Sequence, residues 1–158
     1  MNIRVVGAGR IKEPWLAAGA QEYRKRLRPH AAVELVAVQD EPLPPRGDAA
    51  ERAIRRREGE RILRHVPPGW RLVALDVGGK MLSSEELAGW LAGEALRGHG
   101  DFAFAIGGTL GLDEEVLGRA DLQLSLSRLT FPHQMVPLLL LEQLYRACKI
   151  NAGEPYHR

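Results

Sequence analysis

The chain has 158 residues, 45% of them hydrophobic and 27% charged, with a single cysteine. That is one domain's length, residues 1–158, and enough apolar material for a real core, which excludes a multidomain machine and a disordered chain. The formal charge of +2 is a cancellation: residues 1–79 hold 15 Lys/Arg against 10 Asp/Glu (+5), and residues 80–158 hold 7 against 10 (−3).

Ile3 to Val6, closed by Gly7-Ala8-Gly9, predicts a first strand and turn. Glu13-Pro14 opens a helix whose stripe is Trp15, Leu16, Ala20, Tyr23 and Leu27, and Pro29 stops it. Val33 to Val38 is a second strand. The segment from Gln39 to Gly47, with three prolines among charged residues, predicts a mobile loop. A helix from Asp48 to about His65 turns Ala49, Ala53, Ile54, Ile62 and Leu63 inward and Arg52, Arg55, Arg56, Arg57, Arg61 and Arg64 largely outward. On it Glu51, Glu58 and Glu60 offset part of the charge, through pairs such as Glu51 with Arg55 and Glu60 with Arg64.

Leu72 to Val77 is a near-continuous apolar run, as a central strand covered on both faces requires, and Gly78-Gly79 is expected to turn the chain. Ser83 with Glu86 is a capping-box signature for a helix carrying Leu87, Trp90, Leu91 and Leu96. Phe102 to Ile106 is a fourth strand closed by Gly107-Gly108. A short helix from Asp113 to Ala120, a fifth strand near Leu122 to Leu126 and a last helix from about Gln134 to Lys149 complete the series. The alternation predicts an α/β fold, a mainly parallel sheet with helices on both faces.

Several function classes fall away. One cysteine closes no internal disulfide, no Cys/His cluster has zinc-ligand spacing, and no metal site is expected. The longest apolar run, Met135 to Leu141, is too short for a membrane span, so the composition predicts a cytoplasmic protein with no membrane partner. Gly7-Ala8-Gly9 has Lys12 where a dinucleotide fingerprint needs its third glycine. Gly78-Gly79-Lys80 is followed by Met81 instead of the Ser/Thr that would hold magnesium, which argues against nucleoside-triphosphate hydrolysis.

In open parallel sheets, ligands bind beyond the carboxyl ends of the strands. Two segments there stand out: Ile106 to Leu112, with three glycines that permit close backbone approach, and Leu126 to His133, whose free backbone groups suit a purine or ribose. His133 reads as a structural histidine and Cys148 as a packing residue. The last helix is apolar on nearly all sides and must be covered all round, either within the chain or by a second copy in a twofold dimer. The basic first half suits a polyanion such as nucleic acid, although a solvated helix face accounts for the same charges.

The order and spacing of these stretches resemble the ribosomal RNA large subunit methyltransferase H family of the SPOUT class. The stretches are Val5-Val6-Gly7, Leu75-Asp76-Val77 with Gly79-Lys80, Ile106-Gly107-Gly108 with Gly111-Leu112, Leu124 to Ser127 with Leu129 to His133, Leu141 to Ala147, and Gly153 to His157. The resemblance implies a C-terminal trefoil knot. It implies S-adenosyl-L-methionine bound around Leu75, Gly107, Gly108, Leu126, Ser127, Arg128, Leu129, Thr130 and Phe131. The implied reaction is methylation of N3 of a pseudouridine in 23S rRNA, the large-subunit rRNA, within the ribosome. It further implies a homodimer in which the tail of one subunit completes the site of the other, with Tyr156, His157 and Arg158 as the catalytic candidates. His157 is a candidate base, while Tyr156, Arg158 and Arg146 are candidates for stacking or phosphate contact. Pro137 stands where the family commonly has a basic residue, and Thr109-Leu110 differ from its usual pair. The rival readings are a noncatalytic dimeric RNA-binding protein of the same fold and a small nucleotide-binding regulator of flavodoxin-like topology.

Overall fold

A computed structural model describes residues Met1–Arg158. Ten elements alternate: β1 (Asn2–Ala8), α1 (Pro14–Leu27), β2 (Ala32–Val38), α2 (Asp48–Leu63), β3 (Arg71–Met81), α3 (Ser84–Leu96), β4 (Asp101–Ile106), α4 (Glu114–Arg119), β5 (Leu122–Ser125) and α5 (Val136–Ala152). All four pairings are parallel, in the order β2-β1-β4-β3-β5.

Period-two alternation divides the core between the two faces of the sheet. Ile3, Val5, Val73, Phe102, Phe104, Ile106 and Leu124 pack with α1, α3 and α5. Val6, Ala8, Leu72, Ala74, Ala103 and Ala105 pack with α2 and α4. Along β4 one face is therefore Phe-Phe-Ile and the other alanine. Within the second layer Gly59 lets α2 approach α4 closely: a Cβ there would stand 2.9 Å from Asp113 Cβ, at the start of α4.

Local signals set several boundaries. The Ser83 hydroxyl accepts from the Glu86 N–H at 3.0 Å, and the Glu86 carboxylate accepts from the Ser83 N–H at 2.7 Å, closing the expected capping box. Gly153, at φ 67°, ends α5 in a left-handed cap.

Four expectations change. Gly78-Gly79 does not end β3: the strand bulges after Leu75 and returns to pair Lys80 and Met81 with β5. Gly79 makes this possible, since a Cβ there would lie 2.7 Å from the backbone of Gln123. The Gln39–Gly47 loop is pinned at its start. Arg61 donates to Gln39 O at 2.9 Å and to the Glu41 carboxylate at 2.7 Å, and the Glu41 N–H donates to Glu58 at 2.9 Å. Glu58, read as a surface charge, is only 4% exposed. Nor do the expected α2 pairs form: Glu60 meets Arg56 at 3.5 Å, and neither Arg55 nor Arg64 makes an ion pair.

Helix α5 finds much of its cover within the chain. It lies between α1 and α3, and Leu140, Leu141, Leu144, Ala147 and Cys148 are buried. Val136 to Leu139, in its first turn, stay half-exposed.

Candidate functional site

Leu75 of β3, Ile106 of β4 and Leu124 of β5 lie side by side where β4 and β5 end and β3 bulges, Leu75 pairing with both neighbours. Beyond them opens a cleft of about 330 Å³, within the range of small-molecule sites. Its walls are Leu75 to Val77, Gly107 to Thr109 with Gly111, and the loop after β5 from Leu126 to His133 except Arg128, closed by Val136 of α5.

Two local devices shape these walls. The glycine loop folds back on itself, with Gly108 bridged to Gly111; a Cβ on Gly107 would lie 2.5 Å from the Gly111 carbonyl carbon. Gly111 itself has φ +83°, which favours glycine. In the loop after β5, the Ser125 hydroxyl donates to Ser127 O at 2.9 Å and the Leu129 N–H donates to the Ser127 hydroxyl at 3.0 Å, forming a local turn. Leu129 is left 70% exposed beside the opening.

Of the sequence-predicted cofactor residues, Leu75, Gly107, Gly108, Leu126, Ser127, Leu129, Thr130 and Phe131 line this one cleft, whereas Arg128 is exposed and does not. His133, expected to be structural, also lines it. Glu58 was missed by sequence reading. Its carboxylate lies 3.1 Å from the position of a Cβ on Gly108, leaving room there only for glycine, and it accepts from the loop after β2. Burial pushes its carboxyl above the usual range, against the pull of the Glu41 N–H. Only its residue type amid the arginines of α2 was visible beforehand, and its place on the apolar side of the helix (Ile54, Glu58, Ile62) was the signal available.

Tyr156, His157 and Arg158 are not brought to the cleft. Tyr156 donates to Glu142 at 3.0 Å, lies 3.3 Å from the Tyr23 hydroxyl, and has the Arg146 guanidinium 4.8 Å from its ring centre. Burial and these partners raise its phenol far above the ordinary value, so it remains a donor. Arg146, also bound to Glu142 at 2.5 Å, reaches His157 Nδ1 at 3.2 Å, and His157 Nε2 meets Glu85 at 2.8 Å. A guanidinium cannot accept, so Nδ1 accepts and the imidazole proton sits on Nε2, facing the carboxylate. Arg158 is exposed. None of Tyr23, Glu85, Glu142 or Arg146 lines the cleft. Pro137 lines a separate small cavity with Arg10, Ile11 and Leu35.

The cleft's chemistry fits an adenosyl group. It has apolar walls for a base, glycine-exposed backbone for polar edges, and no group of His, Cys, Asp or Glu that could hold a metal. Residues 1–157 match the family described as "Predicted SPOUT methyltransferase".

Full-length relatives narrow the match. Proteins named ribosomal RNA large subunit methyltransferase H from Symbiobacterium thermophilum and Clostridioides difficile are 56% identical over 161 residues and 48% identical over 159, each covering all of both chains. One from Pelotomaculum thermopropionicum is 54% identical over 157 residues, 99% of this chain and 98% of its own. The chain belongs to the ribosomal RNA large subunit methyltransferase H family of SPOUT methyltransferases.

Proposed function

We propose that this protein methylates ribosomal RNA of the large subunit, at N3 of a pseudouridine, with S-adenosyl-L-methionine as donor and the ribosome as substrate. The observation that carries the reading is the cleft at the carboxyl ends of β3, β4 and β5, in a chain matched over residues 1–157 to a methyltransferase family. The trefoil threading of the segment after β5 belongs to the same reading.

The donor supplies an electrophilic methyl group on a sulfonium. Leu75, Ile106, Leu126 and Phe131 would hold the adenosyl part against apolar walls, while the backbone of Gly107, Gly108, Thr130 and Phe131 would face its polar edges. Rate comes largely from alignment: the base nitrogen must face the methyl carbon opposite its sulfur, and fixing two bound reactants replaces a bimolecular encounter. The N3 proton of the imide must also leave, and His157 is the candidate acceptor. With Arg146 on Nδ1 and Glu85 facing Nε2, it accepts at Nδ1 only when Arg146 turns away. Tyr156, protonated, orients or stacks on the target base.

The tail's partners lie outside the cleft of their own chain, which supports a homodimer in which Tyr156, His157 and Arg158 of one subunit complete the cleft of the other. The half-exposed first turn of α5 is a surface such a dimer would cover.

Ribosomes lacking the modification, incubated with protein and donor and digested to nucleosides, should yield methylated pseudouridine by mass spectrometry. Donor binding measured by calorimetry without any methylated nucleoside would overturn the substrate. No binding heat at high protein concentration would overturn the cofactor.

A further inference from the structure

We propose that the outward side of α2 is an RNA-backbone track leading to the cleft, with Arg52, Arg55 and Arg57 as phosphate ligands. The proposal rests on the rRNA reading above and assigns that substrate a surface.

Three observations carry it. First, Arg52, Arg55, Arg56 and Arg57 line one groove of about 600 Å³ together with Ala49 and Ala53, whose small side chains leave it open. Second, these arginines are not consumed within the protein. Arg61 is committed to Glu41 and Arg56 reaches Glu60 at 3.5 Å, but Arg52, Arg55 and Arg57 pair with no carboxylate, although Glu51 stands four residues before Arg55. A helix face that needed only solubility would gain from closing such pairs. Third, one short segment runs from cleft to groove: Gly107, Gly108, Thr109 and Gly111 line the cleft, and Asp113 and Glu114, two and three residues beyond Gly111, line the groove with Glu60.

That segment sets the geometry. Glu58 stands behind Gly108 and Gly59 packs closely against Asp113, so the arginines sit on the helix that lies directly against it. A nucleotide with its base in the cleft therefore has flanking phosphates close to this rim. Guanidinium groups suit them, since their planar forks hold phosphate oxygens two at a time. Asp113 and Glu114 on the far wall repel phosphate and confine the strand to the α2 side.

The test replaces Arg52, Arg55 and Arg57 together, by alanine and separately by lysine, in the full-length protein. The probes are ribosomes lacking the modification and protein-free large-subunit rRNA, titrated across salt. The alanine variant should raise KM for ribosomes about 10- to 100-fold at near-physiological salt, leave kcat at saturation in place, and reduce the slope of log affinity against log salt by about 2 to 3. The lysine variant should recover most of the affinity, and donor binding by calorimetry should match wild type in both. An unchanged KM and salt slope in the alanine variant, with wild-type methylation intact, would overturn the track and leave the rRNA reading standing. Affinity lost for ribosomes but kept for protein-free rRNA would place a ribosomal protein on this face and also overturn it. Were wild type to methylate nothing, the functional reading would fall, while the salt slopes on rRNA would still decide the track.

Discussion

The cleft and the C-terminal tail are built in opposite ways. The cleft is shaped by missing side chains: Gly107 lies against Gly111, and its few side-chain hydrogen bonds are local turns. The tail is held almost wholly by side chains, Tyr156 on Glu142 and Tyr23, His157 between Arg146 and Glu85, and Glu154 on Lys149. Backbone against backbone cannot yield, whereas a set of polar contacts worth about 1 kcal/mol each loosens stepwise. A rigid cleft suits a cofactor, and breakable contacts suit a tail that serves a second subunit under the proposed mechanism.

Removing Tyr156 to Arg158 gives the largest contrast. Transfer to ribosomes should fall to background while calorimetric donor binding and the dimer by sedimentation persist; retained turnover would detach the tail from the chemistry. Gly107→Ala should act at the other pole, forcing a methyl to within 2.5 Å of backbone. We expect donor affinity down about 100-fold and stability lower by about 1 to 3 kcal/mol, read by calorimetry and thermal melting. Wild-type donor binding in this variant would show that the loop is soft after all.

Smaller effects test the stepwise character of the tail. Tyr156→Phe removes hydrogen bonds to Glu142 and Tyr23 and keeps the ring, so it should cost about 2 kcal/mol by denaturant unfolding, with donor affinity unchanged. A loss several times larger would mean that the tail is a cooperative unit.

The smallest effect is a pH dependence of opposite sign in the two regions. Glu58, raised by burial, binds its proton more tightly folded than unfolded, so its contribution is present below the ordinary carboxylate range and is lost as pH rises through its folded value. Glu154, held low chiefly by Lys149, contributes above that range and loses its contribution as pH falls. The melting temperature of Glu58→Gln relative to wild type should therefore climb with pH across the window above the ordinary glutamate value. A constant offset would show that Glu58 does not titrate there.

Much of the fold was legible because its signals are local. β-Branched runs, the Ser83 and Glu86 box and the proline before Trp15 mark elements within a few residues, and the post-strand rule picked out both loops of the cleft. Glu58 was not legible, because a helical wheel dominated by arginine hides one carboxylate turned inward. The pinned start of the proline loop was missed for the same kind of reason, since its anchors Glu58 and Arg61 lie on the following helix.

The sequence by itself determined the alternating α/β order, the glycine loops and the family. Only the tertiary structure decided the order β2-β1-β4-β3-β5, the seat of Gly79 on β5, the place of Glu58 behind Gly108, and the separation of the tail from its own cleft. The physical reason is distance along the chain. Hydrophobic period and capping are set by neighbours, whereas His157 meeting Glu85 or Glu58 meeting Gly108 depends on how whole layers pack, and no short window of residues contains that.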